Sequence, residues 1–257
     1  MTRAATVWVY LVFGFMYLPI AMILLFSIND ADVMAFPIQG LTAAWYADII
    51  ADARLGAGFL TTLFVAFPVA ILSTLLGASA ALALVFYPVR WKGIFAAALL
   101  LPFLVPRLIL AVAQLILFKE VNIDRSLWTV IAGQSIIILP FSTLIIASVL
   151  IRLDRRLIEA AADLGASGWS SFRRVVLPLM GNGLLASWVI AFVLSSSEYV
   201  LTAFLSGREQ PLSVLVASDF RFNLSPSLNA LAVLIVFGNI ALVVLAEAIR
   251  RRSGAKA

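Results

Sequence analysis

Six stretches of this chain are nearly unbroken runs of apolar residues: Val7–Ile28, Phe59–Phe86, Ile94–Phe118, Leu127–Ile151, Gly181–Leu205 and Asn229–Ile249. A helix needs about 20 mostly apolar residues to cross the roughly 30 Å hydrocarbon core of a bilayer. Open strands would leave backbone groups unpaired in lipid, and the alternating ten-residue pattern of a membrane barrel is missing. The pattern therefore predicts an all-α membrane protein with six transmembrane helices, in one domain spanning residues 1–257. Val7–Ile28 is too long for a signal-peptide core, and Asn29-Asp30-Ala31-Asp32 offers no small-residue cleavage site, so it reads as a retained first span. Between the spans, Thr42–Ile50 reads as a short interfacial helix, with Trp45 and Tyr46 suited to the membrane surface. The 207–228 loop, with Pro211 and Pro226, reads as a second external cap.

Composition narrows the function. Of the 257 residues, 63% are hydrophobic and 12% charged, and there is no Cys and no His. That leaves too little polar surface for a soluble globule. It also removes thiolate metal sites, cysteine nucleophiles, and the commonest general base and metal ligand. These absences argue against a hydrolase or redox enzyme, and no cofactor is expected in this chain. The net charge of +5 is explained by topology. Twelve Lys and Arg residues fall in the loops and tail on one side (Arg3, Arg90, Lys92, Arg152, Arg155, Arg156, Arg173, Arg174, Arg250, Arg251, Arg252, Lys256), against five on the other (Arg54, Lys119, Arg125, Arg208, Arg221). By the positive-inside rule both termini are expected in the cytoplasm. Four acidic residues share the basic side and eight lie opposite, which gives +8 against −3. The charge does not imply nucleic acid as a partner.

One cytoplasmic loop, residues 152–178, has internal order. Leu157–Leu164 is built of helix formers and is expected to bury one apolar side through Ala160, Ala161 and Leu164. Gly165 permits the left-handed backbone that ends a helix. Ser167 can cap a second short helix through Phe172 and Arg173, and Pro178 suits the first turn of the fifth span. The product is a helix–turn–helix on the cytoplasmic surface, equally readable as a partner-binding element or a lipid-facing interfacial hairpin.

Arg107 and Glu198 are the two ionisable residues well inside the spans, where a charge costs about 2.5–3.5 kcal/mol on insertion scales. At 1.5 Å per residue they lie roughly 20 and 25 Å from the inner ends of spans three and five. At such similar depths they can pair, or face one aqueous path together with Gln114, Gln134, Ser195, Ser196, Ser197 and Asn239. The other reading is a structural bridge between helices. Pro68, Pro102, Pro106 and Pro140 kink spans, and Ser73, Gly77 and Ala81 form a small-residue ridge for helix packing within the chain or at a dimer seam.

The order Glu159-Ala160-Ala161, three residues, Gly165, nine residues, Val175, one residue, Leu177-Pro178 resembles the EAA loop of binding-protein-dependent ABC importer permeases. Only Val175, for the usual Ile, departs. Ser27-Ile28-Asn29-Asp30, Trp45-Tyr46, Leu164-Gly165-Ala166-Ser167 and Ser225-Pro226-x-x-Asn229-Ala230-Leu231 extend the resemblance to the second membrane subunit of the spermidine/putrescine group. The resemblance implies a type I ABC importer permease fold in the bacterial inner membrane. It also implies a second homologous permease (a heterodimer), two ATPase subunits that carry ATP and Mg, and a periplasmic or extracellular substrate-binding protein. Glu159, Ala160, Ala161, Gly165, Arg173, Leu177 and Pro178 would seat the loop on the ATPase. The chain has no Gly-x-x-x-x-Gly-Lys-Ser/Thr phosphate loop of its own. Glu198 suits a polyamine-like cation. Arg107, where similar permeases often carry an acidic or apolar residue, admits a zwitterion or anion such as an aminophosphonate or opine-like amino acid. An ion-driven secondary transporter is the rival class.

Overall fold

Nearly every apolar run folds as helix. The computed structural model describes residues 3–31, 36–88, 90–222 and 226–254. Asp32, Ser225 and Lys256 lie outside them, as do the side chains of Arg3, Arg221, Arg250 and Arg252. In chain order the helices are α1 (Arg3–Ser27), α2 (Ala44–Ala51), α3 (Ala53–Phe86), α4 (Lys92–Leu104), α5 (Arg107–Glu120) and α6 (Leu127–Leu150). They continue with α7 (Arg156–Asp163), α8 (Gly168–Ser171), a π-helical turn (Phe172–Val176), α9 (Leu177–Ser196), α10 (Val200–Leu205), α11 (Leu212–Phe222) and α12 (Pro226–Gly254). Five helical stretches are long and apolar enough to cross a membrane, and α4 with α5 makes a sixth if taken as one.

Two spans differ from the sequence expectation. The third is not continuous: α4 and α5 meet at a bend of 102°. The cause is local. A residue preceding proline is pushed out of the helical region, and Val105 sits at φ −79, ψ 131 ahead of Pro106 at φ −53, ψ 130. The fifth span begins earlier than Gly181, since one helical stretch runs Gly168–Ser196. It then breaks at residues 197–199 before α10. Ser196 and Ser197 both turn their hydroxyls onto the Val193 carbonyl, the competition with the backbone that lets serines end helices.

Contacts gather in two units, Met1–Ala57 with Leu215–Ala241, and Gly58–Val214 with Leu242–Ala257. In the first, the Ser27–Asp30 segment closes onto α2. Ser27 Oγ and Tyr46 Oη hydrogen-bond at 2.8 Å, Trp45 Nε1 donates to the Asn29 carbonyl at 2.9 Å, and Asn29 bridges to Leu41. The Ser27–Asp30 segment and the Trp45-Tyr46 pair thus form one closure. Arg54 makes two hydrogen bonds to the Asp219 carboxylate, at 2.6 and 3.0 Å.

The second unit holds the main core, where Val65, Ala66, Val69 and Ala70 of α3 join Val130, Ile137 and Ile138 of α6, Phe192 of α9 and Leu201 and Leu205 of α10. The small-residue ridge works inside this unit. A Cβ on Gly77 would lie 2.6 Å from Ser142 Cβ and 2.9 Å from the α6 backbone, so α3 and α6 approach at a distance only glycine allows. Ser73 and Ala81 are fully buried on the same face.

Candidate functional site: a helical hairpin and an ion pair at two helix breaks

The hairpin is closed by backbone geometry. Gly165 adopts φ +82. Its N–H reaches the Ala162 carbonyl at 2.8 Å and the Ala166 N–H reaches Ala161 at 2.9 Å, the paired bonds of a Schellman motif. Ser167 then caps α8, accepting the Ser170 N–H. The second helix does not stop near Arg173, however. It passes through the π-helical turn, where the Leu177 N–H reaches back five residues to Phe172, and continues as α9. Proline has no N–H and its ring crowds the carbonyl four residues earlier. A widened turn just ahead of Pro178 relieves that crowding.

Expected burial along α7 is also corrected. Leu164 is 89% exposed and Ala160 is exposed, while Ile158 packs beneath the helix against the cluster of Ile146, Leu150, Val176 and Met180. Glu159, Gly165, Arg173, Leu177 and Pro178 are exposed and Ala161 is half-buried. Sequence reasoning missed Arg155. Its guanidinium donates to the Val85 carbonyl at 2.8 Å and lies 5.8 Å over the Phe86 ring. A cation on the last carbonyls of α3 complements the negative end of that helix. The hairpin is thereby fastened to the second span. Its adjacency to the Glu159 motif was the only available signal.

Arg107 and Glu198 do meet, with Nη1 2.8 Å from Oε2. Each stands at a break: Arg107 opens α5 after the 102° bend, and Glu198 lies between α9 and α10. The Leu201 N–H donates to Glu198 Oε1 at 3.1 Å. Thr202 and Ser213 both donate to the Glu198 carbonyl, at 2.7 and 2.9 Å, supports that hydropathy alone does not reveal. The pair borders a cavity of about 80 Å³ walled by Phe103, Ile137, Ile138, Phe141 and Leu194.

The other polar candidates disperse. Gln134 is buried and tied at both ends, donating to Thr202 at 2.8 Å and accepting from Ser195. It braces α6 against α9 and α10. Ser196 and Ser197 hydroxyls are spent on their own helix. Gln114 is buried with neither amide atom hydrogen-bonded to a described residue, facing Gly133 and Leu205. Asn239 lies half-buried on α12, in the other unit.

Residues 73–254 match the family model described as binding-protein-dependent transport system inner membrane component. The chain belongs to this family. It is the permease subunit of an ABC importer, a membrane-spanning transport subunit and not an enzyme. It is 30% identical over 245 residues to the spermidine/putrescine transport system permease protein PotC of Haemophilus influenzae, covering 95% of each chain. It is 26% identical over 247 residues to the putative 2-aminoethylphosphonate transport system permease protein PhnV of Salmonella typhimurium, covering 94% of this chain and 92% of that one. Among solved structures, a bacterial alginate ABC transporter in complex with its alginate pentasaccharide-bound periplasmic protein superposes with a TM-score of 0.74 at 14% identity, covering 97% and 93% of the two chains. The importer permease fold accommodates both broken spans.

Proposed function

We propose that this permease forms one half of the translocation path for a polyamine-like cation, in a bacterial inner membrane with both termini cytoplasmic. A second homologous permease supplies the other half. Two ATPase subunits hold ATP and Mg, and a binding protein delivers the solute from outside. The observation that carries the substrate reading is Glu198, a buried carboxylate at a helix break, in a chain similar along 95% of its length to a spermidine/putrescine permease. A buried acid whose backbone is held in place by Thr202 and Ser213 suits an ammonium-bearing solute.

Coupling is assigned to the hairpin. Exposed Leu157, Leu164 and Trp169 leave an apolar surface around Glu159 and Gly165, as a helix that seats in a partner's groove requires. Ala160, Ala161, Arg173, Leu177 and Pro178 complete that element.

A second reading has a specific observation behind it. Arg107 exposes 57% of its side chain, and an exposed guanidinium on the path favours a carboxylate or phosphonate. The similarity to the 2-aminoethylphosphonate permease agrees with it. One experiment decides. Proteoliposomes holding both permeases and the ATPase, with binding protein added, are expected to take up labelled putrescine in an ATP-dependent manner. Uptake of 2-aminoethylphosphonate but not putrescine would transfer the assignment to the second reading. Uptake driven by an ion gradient without ATPase would remove both.

A further inference from the structure

The two members of the ion pair are unequal. Glu198 exposes 2% of its side chain and Arg107 57%, yet one contact of 2.8 Å joins them. Glu198 has no idle oxygen, because Oε2 takes the guanidinium and Oε1 the Leu201 N–H. Among the described residues lining the cavity beside the pair, Arg107 is the one cation. A buried carboxylate stripped of its partner is strongly disfavoured, because its charge has left water without compensation. The guanidinium, open on the side away from Glu198 in this chain, loses less on leaving the contact than the enclosed acid does. The pair therefore breaks readily only when another cation takes the acid at the same moment.

We propose that Arg107 is a tethered stand-in for the transported cation. With the site empty, its guanidinium occupies Glu198 and closes the path. An arriving ammonium displaces it into the aqueous side, and it returns when the solute leaves. The exchange conserves charge at Glu198 throughout. A neutral solute cannot drive it, and an anion attracted to Arg107 would leave Glu198 deserted. Arg107 is carried on the first residue after the Val105–Pro106 break, so a rotation of its own side chain suffices. This inference rests on the polyamine-like substrate reading, and it turns the residue least suited to that reading into part of its selectivity.

The test uses the whole complex in proteoliposomes, with methylammonium as the probe and neither ATP nor binding protein present. Arg107→Ala is expected to leak methylammonium at least about tenfold faster than wild type, a factor worth about 1.4 kcal/mol. Free guanidinium in the buffer should reseal it. Arg107→Lys, which keeps the cation, should stay within about twofold of wild type, and Glu198→Gln should not leak but should lose uptake. In the unmodified complex, saturating putrescine should raise the rate of phenylglyoxal modification at Arg107 several-fold, a readout that needs no variant to fold. A tight Arg107→Ala channel, a leak indifferent to guanidinium, or modification unchanged by putrescine would each reduce Arg107 to a structural brace. ATP-driven putrescine uptake by wild type is a separate arm. Its absence removes the substrate reading, whereas the methylammonium leak judges the stand-in alone.

Discussion

Alanine, asparagine and aspartate at position 165 separate three effects that a single substitution would merge. Gly165 sits at φ +82, and a Cβ built there meets nothing within 4 Å. Alanine therefore adds no clash, and its whole penalty is backbone conformation, about 1–2 kcal/mol for an L-residue in the left-handed region. That changes the population of the closed hairpin by about 5–30-fold. Asparagine adopts this region more readily because its side chain bonds locally, so it should retain more of the turn. Aspartate has the same shape as asparagine and adds a negative charge to an exposed surface beside Glu159. ATP-driven uptake per assembled complex should fall in the order glycine, asparagine, alanine, with aspartate abolishing it while membrane insertion stays intact. The Gly165 and Ala166 amides, bonded to Ala162 and Ala161 at 2.8 and 2.9 Å, report the turn directly by hydrogen exchange. They should exchange about 5–30-fold faster in the alanine variant. Asparagine no better than alanine, with unchanged exchange, would refute the conformational reasoning. Normal transport by the aspartate variant would remove the coupling role.

Other substitutions test the supports. Gln134→Ala deletes both bonds of the brace and should lower stability by about 1–4 kcal/mol, at interhelical values of about 0.6–2 kcal/mol per bond; thermal melting in detergent reads it. Gly77→Ala places a methyl 2.6 Å from Ser142 Cβ, an overpacking worth about 1–3 kcal/mol, and an unchanged melting temperature would show that α3 and α6 separate freely. Arg155→Ala removes the cation from the end of α3 at a local cost of about 0.3–1 kcal/mol. It should cut solute imported per ATP hydrolysed more than it cuts hydrolysis, whereas equal losses would make Arg155 a simple docking residue.

Hydropathy located four of the six spans as continuous helices because burial in lipid is a property of composition over a long window. It could not locate the first break, since Val105 and Pro106 are apolar. The second coincides with the polar run Ser195-Ser196-Ser197-Glu198, which the apolar residues on either side mask over a long window. Pro106 was visible as a kink and Pro140 looked no different. Yet α6 runs straight through Pro140, where Thr143 bonds the Leu139 carbonyl and α3 packs alongside. Which proline breaks a span is decided by neighbours. The hairpin turn was legible because φ at Gly165 and the Ser167 cap are local. The burial expected of Leu164 was not, because periodicity identifies an apolar face without saying whether this chain covers it. Equal depth brought Arg107 and Glu198 together on paper, but the asymmetry of their exposure depends on residues such as Ile137 and Ile138, which come from α6, far off in sequence from both.

The π-helical turn joins what the sequence presents as two elements. Gly168–Ser196 is one helical stretch of 29 residues, about 43 Å long at 1.5 Å per residue. One end is the second arm of the hairpin, and the other stops two residues short of Glu198. Such a stretch behaves as a connecting rod whose π-helical turn lies near its hairpin end. Tilting the hairpin by a few degrees swings the far end through several ångströms, a travel comparable to the reach of the Arg107 side chain. The acid thus hangs from the free end of the shaft that any motor at the hairpin would turn.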